Sequence, residues 1–208
     1  MEEIEKIYQL IHLAEKLKFE LRHSSTSTGR KESVAEHTWR MALMGLLTAK
    51  KLDKQIDTEK LLKMILIHDL VEAEAGDTPV PFMLNNEDVK KEKEKKERAA
   101  IAHIRSLLNN EIGEEIFSLW NEFEECETYE AKTANALDKL EAQIQHNEAD
   151  ISTWIPVEYE LIYSRRKYTA FDSFLDKFRA MVEEESETKL RNYGIDVDAV
   201  KRKLNLET

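Results

Sequence analysis

The sequence predicts an all-α protein, a single helical bundle with additional helices at its C-terminal end. Only five glycines and three prolines interrupt 208 residues. Apolar residues recur at three- and four-residue intervals, as one face of a helix requires. No stretch alternates apolar and polar residues in the manner of a half-buried strand.

Residues 1–21 are expected to form the first amphipathic helix, with Ile4, Ile7, Tyr8, Ile11, Leu17 and Leu21 as its apolar stripe. The polar, turn-rich segment 24–30 follows as a loop. Ser33 with Glu36 three residues later forms a capping-box pattern, opening a helix to about Leu52 through Ala42, Leu43, Leu46 and Leu47. Residues 53–58 are a short connection, and Thr58 is a candidate cap for a central helix. That helix is expected to run through Leu61, Leu62, Ile65, Leu66 and Leu70 to a left-handed end at Gly76. Pro79 and Pro81 then force an extended turn over 77–82.

Helices are expected over 87–109, 112–124 and 128–149. Between Lys90 and Arg98 both signs of charge alternate, the pattern of a solvated helix face. After a loop at 151–156, a final pair of helices covers about 157–186 and 187–204. The division is therefore one main domain, 1–186, and a C-terminal helical extension, 187–208, packed on it.

The formal net charge of −11 argues against a groove for polymeric nucleic acid, which calls for a basic face. No apolar run reaches the roughly 20 residues a membrane span needs. The acidic N-terminus is unlike a secretory signal. One cysteine, Cys126, permits no internal disulfide, and a cytoplasmic setting is the default expectation. Cys126 has no basic neighbour in sequence to favour a thiolate.

The chemistry concentrates where charged groups interrupt apolar helix faces. His37 opens one such helix, His68 and Asp69 interrupt the central one, and Asp138 lies in the core-like run 134–140. A buried carboxylate is costly unless it is paired or bound to a metal. Two imidazoles and two carboxylates form an N2O2 donor set that suits a borderline divalent ion better than calcium. Taken singly, each residue reads more simply: a histidine on an apolar face is usually a satisfied core residue. Adjacent helical residues also point about 100° apart, so His68 and Asp69 can share an ion only across the shoulder of a regular helix. Glu72 falls three residues after Asp69, on the same side.

The pattern His37…His68-Asp69…Asp138 resembles the HD-domain metal-dependent phosphohydrolases. The segments 32–38, 68–73, 76–79 and 137–141 resemble the HD-domain 5′-deoxynucleotidases in particular, over about residues 5–180. The resemblance implies an all-helical HD domain holding one divalent transition metal on His37, His68, Asp69 and Asp138. Mn, Co, Fe, Ni or Zn is expected in preference to Mg. It also implies hydrolysis of the 5′-phosphate of deoxynucleoside monophosphates, and a homodimer.

By the same resemblance, Glu72 and Asp77 place or activate the attacking water, and Arg22 grips the phosphate. His23 stands where the family can carry an aromatic against the sugar or base, with Thr78 and Pro79 near the substrate. Two other readings compete: an HD-type hydrolase of a pyrophosphate or cyclic nucleotide, and a non-enzymatic helical interaction domain stabilised by its metal. His12, His103 and His146 find no partners in the sequence pattern and are expected to be structural or exposed. Glu36 is expected to be a cap, and Lys139 and Glu141 to be charges near Asp138.

Overall fold

A long helix with a fully buried face runs through the middle of the molecule. The computed structural model describes residues 1–84 and 86–206. This central helix, α8 (Tyr129–Glu148), is opened by Thr128, whose side chain accepts from Ala131 N at 3.2 Å. Ala134, Leu137 and Leu140 on α8 are fully buried among Met41, Leu61, Met64 and Ile65. Each large aliphatic side chain buried this way contributes about 1.5–3 kcal/mol relative to exposure. Helices α2 (Val34–Thr48), α3 (Thr58–Ile67), α7 (Glu111–Glu125) and α11 (Ser173–Tyr193) all contact α8.

The other elements close over this core. They are α1 (Glu2–Ala14), α4 (Glu72–Ala75), α5 (Val80–Met83), α6 (Glu87–Leu108), α9 (Pro156–Leu161), α10 (Arg166–Thr169) and α12 (Val197–Lys203). All-α is therefore the fold class, with one exception. Strands β1 (Leu21–Ser25) and β2 (Lys31–Ser33) form a two-stranded antiparallel hairpin. Its turn is closed by Thr26 N to Arg30 O at 2.7 Å and by Gly29 at φ +86°. The hairpin is too short to show period-two alternation, which is why the segment reads as a loop.

Several expected elements are corrected. The first helix stops at Ala14 and tightens into a 3₁₀ turn over Glu15–Lys18. Its buried side is Leu10, Leu13, Ala14 and Leu17, whereas Ile4, Tyr8 and Ile11 are 61–71% exposed. On α2 the core face is Met41, Met44 and Gly45, and Leu43, Leu46 and Leu47 face outward. In both helices apolar residues occupy two faces, and periodicity alone cannot choose between them. Asp57 rather than Thr58 caps α3, accepting from Lys60 N at 3.0 Å.

The expected central helix is broken: α3 ends at Ile67, and α4 begins only at Glu72. Tight turns bridge them, with Leu70 N to Ile67 O and Glu72 N to Asp69 O at 3.0 Å. Pro79 and Pro81 end the extended segment in a short helix, because proline fits the first turn, where its missing N–H costs nothing. The expected pair over 157–186 and 187–204 is redrawn as α9, a 3₁₀ turn over Ile162–Arg165, α10, α11 and α12. Residues 186 and 187 lie inside α11.

Gly76 ends α4 at φ 76°, ψ 155°, a region other residues enter only with strain. Gly76→Ala is expected to destabilise the protein by about 1–3 kcal/mol in chemical denaturation. It should also disturb the path into Asp77 at the next position.

Candidate metal centre

Each polar group reaches the centre for a local reason. Ser33 caps α2 through a complete capping box with Glu36, and this sets His37 in the first turn pointing inward. The break after α3 does the same for the next pair. A turn of 3₁₀ type advances about 120° per residue, so residues three apart eclipse. Asp69 and Glu72 thus align, and His68 Nε2 comes within 3.1 Å of Asp69 Oδ2. Asp138 arrives from α8, with Oδ1 3.3 Å from His37 Nε2. His37 Nε2 also lies 3.8 Å from Asp69 Oδ2. One donor atom from each of His37, His68 and Asp69 falls within 4.8 Å of the other two.

The outer nitrogen of each imidazole is committed elsewhere. His37 Nδ1 faces Glu141 Oε2, and His68 Nδ1 lies 2.7 Å from Ile65 O. Arg40 Nε donates to the other Glu141 oxygen at 2.6 Å. His37 Nε2 and His68 Nε2 are buried with no hydrogen-bond partner. Orphaned imidazole nitrogens that face two carboxylates, with their other nitrogens fixed, are the arrangement metal-ligating histidines adopt. The donors present therefore fit a divalent cation. Glu32, His37 and Glu141 form a second possible grouping. There Arg40 already neutralises Glu141, and Arg22 lies 3.4 Å from Glu32. That group is an ion-pair network behind the centre.

The electrostatics point the same way. Burial opposes ionisation of Asp69, but His68, His37 and Arg22 outweigh it and hold the carboxyl below its ordinary range. Burial likewise opposes ionisation at Asp138, and Lys139 at 2.6 Å with the two histidines prevails. Burial and Arg22 lower the pKa of His37, yet Glu141 and Asp138 raise it further, to about 9. Burial, then the facing Asp69 and Asp77 carboxylates, pushes Glu72 well above the usual range, and its Oε2 has no partner. Asp77 is also raised, chiefly by burial.

A cavity of about 330 Å³ opens onto this centre, within the range of small-molecule sites, about 300–1,000 Å³. Arg22, His23, Glu72, Asp77, Thr78 and Pro79 line it together with His68, Asp69 and Asp138. Arg22 Nη1 lies 3.5 Å from Asp69 Oδ2. His37 sits behind the wall, fully buried. The structure thus brings His37, His68, Asp69, Asp138, Glu72, Asp77, Arg22, His23, Thr78 and Pro79 to one centre or its cavity.

Three residues acquire places that spacing did not suggest. Glu141 orients His37, and its position one turn after Asp138 was the available signal. His146, expected to lack partners, lines the cavity with Nε2 3.5 Å from Glu158. Glu158 Oε1 also lies 3.1 Å from His23 Nε2. His103 pairs with Glu74 at the surface, and His12 packs edge-on to Tyr8.

A mainly helical domain that gathers donor atoms of His37, His68 and Asp69 within 4.8 Å of one another, with Asp138 3.3 Å from His37, is a candidate metal-centred hydrolase. The chain belongs to the HD domain family, whose family model matches residues 14–192. It is similar to the 5′-deoxynucleotidase HDDC2 of Dictyostelium discoideum, at 42% identity over 55% of this chain and 60% of that protein. The corresponding protein of Xenopus laevis is 32% identical over 71% of this chain and 66% of its own length. The chain thus spans less than two thirds of the length of these curated relatives. In structure it is similar to a predicted metal-dependent phosphohydrolase from Magnetospirillum magnetotacticum MS-1. That match has a TM-score of 0.74 and 28% identity, over 91% of this chain and 97% of the other.

A ligand that binds only the folded state stabilises it, by about 2.7 kcal/mol at 100 times its dissociation constant. Manganese or cobalt added to metal-stripped protein is therefore expected to raise the thermal midpoint. The shift should vanish in Asp69→Ala and His68→Ala. An equal shift in parent and variants would remove these residues from the centre.

Proposed function

We propose that the protein is a metal-dependent phosphomonoesterase that removes the 5′-phosphate from deoxynucleoside monophosphates. The observation that carries this reading is the orphaned Nε2 of His37 and of His68 facing Asp69 and Asp138, with His68, Asp69 and Asp138 lining a cavity of about 330 Å³. The names of the relatives support the reaction class. His37, His68, Asp69 and Asp138 would hold one divalent transition metal, Mn, Co, Fe, Ni or Zn in preference to Mg. Such an ion lowers the pKa of a coordinated water and polarises the phosphoryl group.

The chain supplies the remaining steps. Arg22 presents a guanidinium beside Asp69, where it can hold phosphate oxygens with two parallel hydrogen bonds. Glu72, raised in pKa and with a free oxygen in the cavity wall, accepts the proton of the attacking water. Asp77, also raised, sits just beyond Gly76 and can return a proton to the leaving 5′-oxygen. Its own backbone N donates to Glu20 Oε1 at 3.0 Å, fixing its approach. His23, Thr78 and Pro79 line the nucleoside side of the cavity.

The helical segment 187–208 is read as packed on the main domain 1–186 rather than as a separate unit; the family match runs across that boundary, to residue 192. Among the described residues no helix is long and apolar enough to cross a membrane. A cytoplasmic setting, suggested by the single cysteine, belongs to the same reading.

Glu72→Gln is expected to lower kcat by about 10²–10⁴-fold with metal content unchanged. Arg22→Ala should raise KM by roughly tenfold or more, the scale of a lost charged hydrogen bond. The measurement is turnover of deoxynucleoside and ribonucleoside monophosphates, a cyclic nucleotide and a nucleoside triphosphate by metal-reconstituted protein. Turnover of the last two without the monophosphates would replace this reading by the pyrophosphate or cyclic-nucleotide one. Full activity of Glu72→Gln would remove Glu72 from the mechanism.

A homodimer completes the proposal. Ile4, Tyr8 and Ile11 on α1 and Trp39, Leu46 and Leu47 on α2 are 58–71% exposed, and large apolar side chains of this kind can be covered by a second copy. Sedimentation equilibrium is expected to give twice the chain mass. A single-chain mass at micromolar concentration would end this part of the reading.

A further inference from the structure

Acidic side chains outnumber basic ones along the cavity walls. A phosphate dianion enters such a space only where local cations reverse the field. Arg22, Lys93, Lys139 and Arg165 are the basic residues of the wall. Three of them already have carboxylate partners. Arg22 lies 3.4 Å from Glu32 and 3.5 Å from Asp69, Lys93 pairs with Glu97, and Lys139 is 2.6 Å from Asp138.

Arg165 differs. Among the described residues its guanidinium forms no ion pair. Its Nη1 donates to the neutral Ser164 Oγ at 2.8 Å, and its Nε is shut off from solvent with no partner. The Ser164 hydroxyl in turn donates to Leu161 O at 2.7 Å, which fixes it as an acceptor for Arg165. The 3₁₀ turn Ile162–Arg165 that carries the residue is anchored by fully buried Ile162 among Trp154, Leu190 and Val197. The guanidinium is therefore held in the wall. The carboxylates that act on it from a distance are Asp138, at the centre, and Glu158, beside His23. Burial lowers its pKa from the ordinary value, the sign of a cation short of compensation.

An arginine desolvated without a counter-ion is costly unless an anion completes it. Its fork of donors matches phosphate oxygens. We propose that Arg165 is a second phosphate-binding residue of this cavity, gripping the substrate phosphate from the C-terminal wall while Arg22 holds it from β1. Arg22, shared with two carboxylates, fixes the phosphate beside Asp69. Arg165, with no carboxylate partner among the described residues, supplies its charge to the anion, whereas Arg22, Lys93 and Lys139 already share theirs with carboxylates.

The phosphomonoesterase reading enters only in making the anion a substrate phosphate, so the test separates the two. Inorganic phosphate and an uncharged 2′-deoxynucleoside are titrated calorimetrically into manganese-loaded protein, and nucleoside monophosphate turnover is measured alongside. Arg165→Ala is expected to weaken phosphate binding about tenfold and to raise KM for the monophosphate more than it lowers kcat. Deoxynucleoside binding should be unchanged. Arg165→Lys, which keeps charge but loses the fork, should fall between parent and alanine variant, and exposed Arg166→Ala should match the parent.

Phosphate affinity within twofold of the parent in Arg165→Ala would overturn the proposal even if turnover upholds the phosphomonoesterase reading. So would equal losses of phosphate and deoxynucleoside binding, which mark a structural role. A tenfold loss confined to phosphate would uphold it even if the parent turned over no nucleotide. Should the alanine variant fail to fold, Arg165→Gln takes its place, with the same thresholds.

Discussion

Burying several carboxylates around one histidine is the constraint on which this structure depends. Glu32, Glu141, Asp138 and Glu72 are all at most 8% exposed, and Asp69 is only partly open to the cavity. Two like charges 4 Å apart repel by about 4 kcal/mol at an effective dielectric of 20. Left alone, such a cluster would push α2, α8 and the α3–α4 turn apart. Cations hold it together: Arg40 behind Glu141, Arg22 between Glu32 and Asp69, and Lys139 on Asp138. A divalent ion held by these groups would add further positive charge, since a histidine ligand binds it as neutral imidazole.

The arrangement also sorts the charges by depth. Behind His37, Glu141 is fixed by Arg40, and Arg40 is fixed in turn by Glu148 and by Gln145 at 2.8 Å. Gln145 completes the chain by donating to Ser25 O at 2.7 Å, tying α8 to the hairpin that carries Arg22. The histidine's orientation and the arginine's position are thus set through one connected set of hydrogen bonds. In front of His37 the groups are left incomplete: Glu72 Oε2, His68 Nε2 and His37 Nε2 lack partners. A fold that satisfies its polar groups on one side of a residue and leaves them open on the other has directed its unsatisfied chemistry into the cavity.

How much of this was legible depended on whether a residue sat on a regular helix. His37 and Asp138 could be found because each interrupts an apolar face whose period is clear, and Glu36 because Ser33 precedes it at capping distance. Asp69 and Glu72 were expected on one continuous helix, which the structure breaks between Ile67 and Glu72. The break after Ile67 has no proline or glycine to announce it, and the tight turns that bridge it are silent in composition. The hairpin was missed because three- and five-residue strands carry no period. The outward faces of α1 and α2 were misassigned because both helices are apolar on two sides.

The same rule accounts for the C-terminal wall. Glu158 and Arg165 lie on a six-residue helix and a four-residue 3₁₀ turn, elements too short for a helical period to mark an inner face. Only the packed structure shows that Pro156 starts that segment and that Glu158 serves two ends. One Glu158 oxygen accepts from Ile155 N at 2.7 Å, closing the helix, and the other faces His23 and His146. Burial lowers His146 to a pKa of about 4 despite Glu158, so its ring is neutral at physiological pH and adds no charge to the wall. The metal end of the cavity is therefore built on long, periodic helices, and the far wall on short segments held by caps. That division confines the effect of a change in a capped turn to the far wall and leaves the packing of α2, α3 and α8 intact.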